Sequence, residues 1–95
     1  MSSIKRVKRS VASLLEKTME PHGSCTLLDP KVLKEIDFRI EGTVQILFKP
    51  TRDYSPTFLF LLAELKEKML MLKGIENVII RVIGVPDSER WNQAL

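Results

Sequence analysis

The sequence predicts a small two-layer α+β domain in the order α-β-β-α-β, with a three-stranded mixed sheet and its helices on one face. Three observations predict it: apolar side chains at helical spacing in residues 4–15, alternating apolar and polar residues in 36–48, and a long apolar helix leading into another alternating segment. Alternation is typical of a strand with one buried face. Since 95 residues leave room for one core, we predict a single domain over 1–95.

The first helix and the turn after it follow from apolar spacing and proline. Ile4, Val7, Val11 and Leu14 form one apolar stripe. Pro21 with the following His-Gly pair predicts the end of this helix. Asp29 before Pro30 is typical of a helix N-cap, so we predict a short helical piece over 30–35.

Two alternating segments, Ile36–Ile40 and Val44–Phe48, predict an antiparallel hairpin. Its register should place both apolar sets on the buried face, with Gly42 supplying the unusual backbone angles of a three-residue connection over 41–43. The pairs expected in this register are Ile40 with Val44, Phe38 with Ile46 and Ile36 with Phe48.

The long helix is predicted to begin at Pro56, capped by Ser55, and to run to Gly74. The following strand, Asn77–Ile83, should be parallel to the strand before the helix, because a strand-helix-strand connection is a crossover. Several large side chains fall outside the helix's core stripe or in the polar tail, and we expect a subunit or client protein to contact them. These candidate partner-binding residues are Leu59, Phe60, Met71 and Trp91.

Composition and charge exclude several classes of protein. The net charge of +3 is concentrated in residues 1–20, while residues 21–95 are neutral, so an extensive nucleic-acid surface is not expected. The single cysteine excludes an internal disulfide and indicates a reducing compartment. The longest apolar run is too short for a membrane span, and no secretory signal is recognised. We predict a cytoplasmic protein without a membrane partner.

The residues assemble no enzyme motif, so no catalytic residue is predicted and the protein is expected not to be an enzyme. His22 and Cys25 could supply two ligands to a metal, although a closed zinc site needs about four, and a structural role for both is the alternative. Thr51, Asp53 and Ser55, with Tyr54 between them, surround a predicted helix N-terminus. Its amides and dipole favour an anion or a thiolate, whereas a capping role for Ser55 explains the same residues.

Five short motifs occur in a characteristic order: Asp29-Pro30, Phe48-Lys49-Pro50-Thr51, Ser55-Pro56, Gly74-Ile75-Glu76-Asn77-Val78, and a tail with Ser88-Glu89 and Asn92. In their order and spacing they resemble the iron–sulfur cluster assembly domain family, the MIP-eighteen-like group. This group includes phenylacetate-degradation D-type proteins and eukaryotic cytosolic iron–sulfur targeting subunits, and the tail is most similar to the targeting subunits. The resemblance covers most of residues 7–92.

The resemblance places the family's reactive cysteine at Ser55 and its aspartate at Asp29. A serine hydroxyl stays protonated and is a poor ligand for cluster iron, unlike a thiolate at a helix N-terminus. The resemblance therefore implies a non-enzymatic adaptor in iron–sulfur cluster assembly, or metal–sulfur cluster biosynthesis, acting by protein binding. Its partners would be iron–sulfur assembly factors or client apoproteins.

Two alternatives stay open at this stage. One is a carrier of iron or a transient iron–sulfur cluster that uses Cys25, with His22 and Asp29, in a homodimer. The other is a small nucleic-acid or ribosome-associated module that works through the basic first helix, although nucleic acid is not the expected partner. The residues imply no resident cofactor.

Overall fold

The computed structural model describes residues 3–23, 25–39 and 41–95 and confirms the α+β class. It adds one helix to the predicted order, because the polar tail forms a third helix. The elements are α1 (Ser3–Glu16), β1 (Leu33–Phe38), β2 (Thr43–Phe48), α2 (Pro56–Leu70), β3 (Asn77–Val82) and α3 (Ser88–Ala94).

The three strands form one mixed sheet in the order β1-β2-β3. β1 and β2 are antiparallel, and β2 and β3 are parallel, as the crossover rule predicts. Alternate residues of β2 and β3 are buried, while the residues between them are half-buried or exposed. Because the buried side chains of α1 and α2 belong to the same hydrophobic cluster as the buried sheet face, the helices cover one face of the sheet.

The predicted hairpin register is wrong by two residues. Phe38 lies opposite Val44, and Ile36 lies opposite Ile46. The register shifts between Leu33 and Glu35, which indicates a bulge or irregularity. A shift of two residues leaves the same side chains on the buried face, so the hydrophobic pattern could not distinguish the two registers. The predicted pairing of Ile40 lies outside the described residues.

The predicted helical piece over 30–35 is also wrong. The side chain of Asp29 accepts a hydrogen bond of 2.9 Å from the Lys31 N–H, as a helix cap would. Only a turn follows, however, and β1 begins at Leu33, which pairs with Phe48. Val32 is 0% exposed, and its carbonyl accepts from the Lys49 N–H. Tertiary packing therefore overrides the local helix signal.

Helix α2 begins at Pro56 as predicted but ends at Leu70, before the predicted end at Gly74. Its last turn tightens: the Met71 N–H bonds the Lys68 carbonyl, and the Leu72 N–H bonds the Met69 carbonyl. Such bonds to the third residue back are typical of a helix terminus.

Substituting Gly74 by alanine is expected to destabilise the protein by about 1–2 kcal/mol, because Gly74 has a φ of 92° and an added Cβ would lie 2.8 Å from Val7 Cγ2. The matched control is Gly23→Ala, since Gly23 lacks a positive φ and its nearest atom would be 3.4 Å away. Urea unfolding of both variants measures the difference. Equal stability would contradict a strained site at Gly74.

Helix α3 packs against the end of β3 and against α2. Trp91 is 5% exposed, and its ring lies edge-on to Phe58 with centroids 6.2 Å apart. The Asn92 side chain accepts a 2.7 Å hydrogen bond from the Val82 N–H and donates one of 3.3 Å to the Val82 carbonyl. The helix thereby completes both the core and the backbone hydrogen bonding of the last residue of β3.

Candidate functional site

The segment that follows α1 and the loop that precedes α2 meet beside the N-terminus of α2. The first segment is closed by an isolated antiparallel bridge between Met19 and Thr26. Inside this bridge the Glu20 N–H donates a 3.0 Å hydrogen bond to the Cys25 carbonyl. The chain therefore doubles back between residues 19 and 26, and Glu20 and His22 are held on this closed segment.

Glu20 joins the two loops. Its carboxylate accepts a 2.6 Å hydrogen bond from the backbone N–H of His22 and another of 2.6 Å from the Thr51 hydroxyl. Glu20 is only 1% exposed, and each of its two carboxylate oxygens accepts a hydrogen bond from a donor of the protein. A buried carboxylate needs such donors, because it has lost its hydrogen bonds to water.

Ser55 caps α2 and contacts the same segment. Its backbone is extended, with φ −154° and ψ 92°, and its hydroxyl oxygen accepts a 3.1 Å hydrogen bond from the Phe58 N–H. The same oxygen lies 2.5 Å from His22 Nε2, and which atom donates depends on the histidine tautomer. Ser55 is 3% exposed. We call the four linked residues, Glu20, His22, Thr51 and Ser55, the polar cluster.

The polar cluster connects the loops to each other rather than presenting free groups. A serine hydroxyl beside a histidine nitrogen resembles a nucleophile and base pair. The Glu20 carboxylate, however, bonds the His22 backbone N–H and not the imidazole, so it does not orient the ring as the acid of a catalytic triad does. Two hydrogen bonds already engage the Ser55 oxygen. The arrangement therefore fixes the N-terminus of α2.

The structure brings together some of the residues that the sequence singled out. Thr51, Ser55 and His22 meet in the polar cluster. Asp53 is exposed, and Tyr54, at 77% exposure, is also largely in solvent. Asp29 bonds its own turn, through the Lys31 N–H.

Cys25 lies on the same closed segment, next to the polar cluster. An ideal Cβ on Gly23 would be 3.4 Å from Glu20 Oε1 and 3.8 Å from Cys25 Sγ, so the carboxylate and the thiol flank one position. Cys25 is half-buried and packs against the hydrophobic core. Within residues 3–23, 25–39 and 41–95, no group of three or more histidine, cysteine, aspartate or glutamate side chains is placed to hold a metal ion.

Glu20 is the member of the polar cluster that the sequence did not indicate. It stands before Pro21 at the predicted end of a charged helix, where a glutamate is usually a solvated surface residue. Its partner Thr51 is 31 positions away in the chain. No local pattern could signal its burial, because that burial depends on a contact between distant loops.

The exposed face of α2 carries large apolar side chains. Phe60 is 67% exposed, Leu70 is 41% exposed and Met71 is 85% exposed, while Leu59 is half-buried. Trp91, by contrast, is buried in this chain and contributes to the core. We define the α2 outer face as Phe60, Leu70 and Met71, and Trp91 is not part of it.

The chain was compared with protein-family models, with curated proteins and with solved structures. No protein-family model and no solved structure matches it. The chain is similar to an uncharacterized protein of Methanocaldococcus jannaschii, with 25% identity over 77 residues that cover 81% of each chain. Separately, none of the helices in the described residues has the length and apolar character needed to cross a membrane.

Proposed function

We propose that the protein is a non-enzymatic adaptor of iron–sulfur protein maturation that binds partner proteins through the α2 outer face. The observation that carries the binding role is the exposure of Phe60 on α2, at 67%, and of Met71 at its C-cap, at 85%. The pathway rests on the motif order around Asp29, Thr51 and Ser55, which resembles the iron–sulfur cluster assembly domain family. The partners would be assembly factors or client apoproteins in the cytoplasm.

The geometry of the α2 outer face suits a protein partner. Phe60 and Met71 are eleven positions, or about three turns, apart, so they lie on one side of the helix with the exposed Glu64 and Glu67 between them, and Leu70 is beside Met71. The row from Phe60 to Met71 spans about 16 Å at 1.5 Å per residue. Aromatic and methionine side chains are enriched where proteins bind one another, since they bury large apolar areas. The large apolar side chains at the two ends of this row supply the anchors of a protein interface, and the carboxylates between them supply its polar part.

The polar cluster supports protein binding over iron transport. The resemblance assigns the family's cysteine to Ser55, whose oxygen here caps α2 and contacts His22. A protonated hydroxyl engaged in two hydrogen bonds is a poor ligand for cluster iron, which prefers thiolate. The adaptor would therefore position partners while another protein supplies the metal ligands.

Substituting Phe60 by aspartate is expected to remove partner binding without loss of folding, because it replaces an exposed apolar anchor of the α2 outer face with a charge. The measurement is affinity purification of the tagged full chain from its own cells, with the co-purified proteins identified and quantified by mass spectrometry. We expect wild type to enrich iron–sulfur assembly factors or cluster-containing proteins, and Phe60→Asp to lose them by about tenfold or more, as expected for an aromatic anchor.

The matched control is Ala12→Asp, which introduces the same side chain at an exposed helical position on α1 instead of α2. Ala12→Asp should retain the same proteins as wild type. Recovery of partners unrelated to iron–sulfur proteins would contradict the pathway, and equal retention by both variants would contradict the α2 outer face as the binding surface.

A further inference from the structure

Besides the α2 outer face, the protein has a second candidate binding surface, a shallow groove of about 420 Å³ between α1 and the segment that follows α2. Its charged lining consists of Arg6, Arg9 and Lys17, all exposed. Half-buried Leu14 and Leu72 supply an apolar part of the same groove. Two serine hydroxyls, those of Ser10 and Ser13, complete the lining. We call this surface the α1 groove.

The charge of the α1 groove has one sign. Among the residues that the structure describes, no carboxylate lines it. In the described part of the chain the one ion pair joins Arg39 to Asp37, so the three groove cations have no intramolecular partner. Uncompensated cations grouped on one surface attract an anionic ligand, because their potentials add.

The spacing of these cations indicates the size of the ligand. Positions 6, 9, 13 and 17 are three or four apart, so they lie on one side of α1. Arg6 and Lys17 are about 16 Å apart along the helix axis. A peptide of about five extended residues covers that length at roughly 3.3 Å per residue. A single small anion would reach only one end of the row.

We propose that the α1 groove binds an acidic segment of a partner protein, with carboxylates on the cations and an apolar side chain on Leu14 and Leu72. The apolar lining favours a peptide, since phosphate groups gain nothing from leucine. In the described ranges, the lining also contains no aromatic residue on which a nucleic-acid base could stack. Residues 21–95 are neutral overall, so the basic surface does not continue as a nucleic-acid track does.

This inference goes beyond the proposed function, because it uses a different surface and does not depend on the iron–sulfur pathway. An adaptor with an apolar face on α2 and a basic groove on α1 could hold two partners, or two parts of one. The two proposals fail separately. Phe60→Asp should leave binding at the α1 groove intact, and changes in the groove should leave the α2 outer face intact.

The test is fluorescence anisotropy with the full chain and a labelled synthetic peptide of glutamates and leucines. We expect the double variant Arg6→Glu with Arg9→Glu to weaken binding by about tenfold, since it reverses two contacting charges. The matched control, Lys5→Glu with Lys8→Glu, makes the same charge change on α1 outside the groove. It should weaken binding by only about twofold, because it changes the long-range electrostatic potential at the peptide but no direct contact.

Two further probes separate the sources of binding. A peptide with glutamine in place of glutamate should not bind measurably, and one with serine in place of leucine should bind more weakly than the original. Equal effects of the two charge-reversal variants would overturn the α1 groove as the site. Tight binding of a single-stranded oligonucleotide with no binding of the acidic peptide would overturn the proposal in favour of nucleic acid.

Discussion

Substituting Phe58 by alanine is expected to lower the free energy of unfolding by about 3–5 kcal/mol, the usual cost of removing a buried aromatic ring. Phe58 is 0% exposed. Its ring lies edge-on to Phe48 of β2, with centroids 6.3 Å apart, and edge-on to Trp91 of α3 at 6.2 Å. One side chain therefore connects α2 with the sheet and with α3, and its removal leaves a cavity that three elements line.

The matched control is Phe60→Ala, which makes the same change two positions away on the same helix. Phe60 is 67% exposed, so its loss should change the free energy of unfolding by no more than about 0.5 kcal/mol. Urea denaturation followed by circular dichroism measures both values. The free energy of unfolding of small domains is about 5–15 kcal/mol, so the loss in the Phe58 variant should be a large fraction of the total and easily measured. Similar losses for the two variants would contradict the orientation of α2.

Substituting Glu20 by alanine is expected to destabilise the protein by about 3 kcal/mol. The carboxylate accepts from the His22 N–H and the Thr51 hydroxyl, and each hydrogen bond to a charged group contributes roughly 1.5 kcal/mol or more. Removing the carboxylate leaves both donors without their partner. The net loss is limited because burying the Glu20 charge is itself unfavourable.

The matched control for Glu20 is Glu16→Ala, which removes the same charge from an exposed residue of α1. We expect it to change stability by no more than about 0.5 kcal/mol. A double-mutant cycle of Glu20→Ala with Thr51→Val tests the contact directly. The two losses should be less than additive if the side chains bond each other. Full additivity, or a neutral Glu20→Ala, would exclude the polar cluster as the link between the loops.

Part of the fold could be predicted from the sequence because local patterns determine it. β2, α2 and β3 follow from alternation, from Ser55-Pro56 and from the crossover rule. The hairpin register could not be predicted, because the shift near Leu33 depends on packing and leaves the same face buried. The burial of Trp91, a candidate partner-binding residue in the sequence, could not be predicted, because its helix of seven residues is too short to show an apolar period.

The polar cluster was predictable only in part. Ser55 and Thr51 stand in one loop near a helix start, so local sequence indicated their proximity to the N-terminus of α2. The pairing of Ser55 with His22 joins residues 33 positions apart, and only the folded chain brings them together. From the sequence, His22 is a candidate metal ligand. In the structure its backbone N–H donates to the Glu20 carboxylate and its ring Nε2 contacts the Ser55 hydroxyl, both within the polar cluster.

The side-chain amide of Asn92 has a consequence for self-association. β3 is an edge strand, and a free edge can recruit a strand from another molecule, which is a route to aggregation. By bonding both the N–H and the carbonyl of Val82, Asn92 occupies the place that an incoming strand would take. The chain thus blocks intermolecular sheet growth at this end of β3 with one of its own side chains.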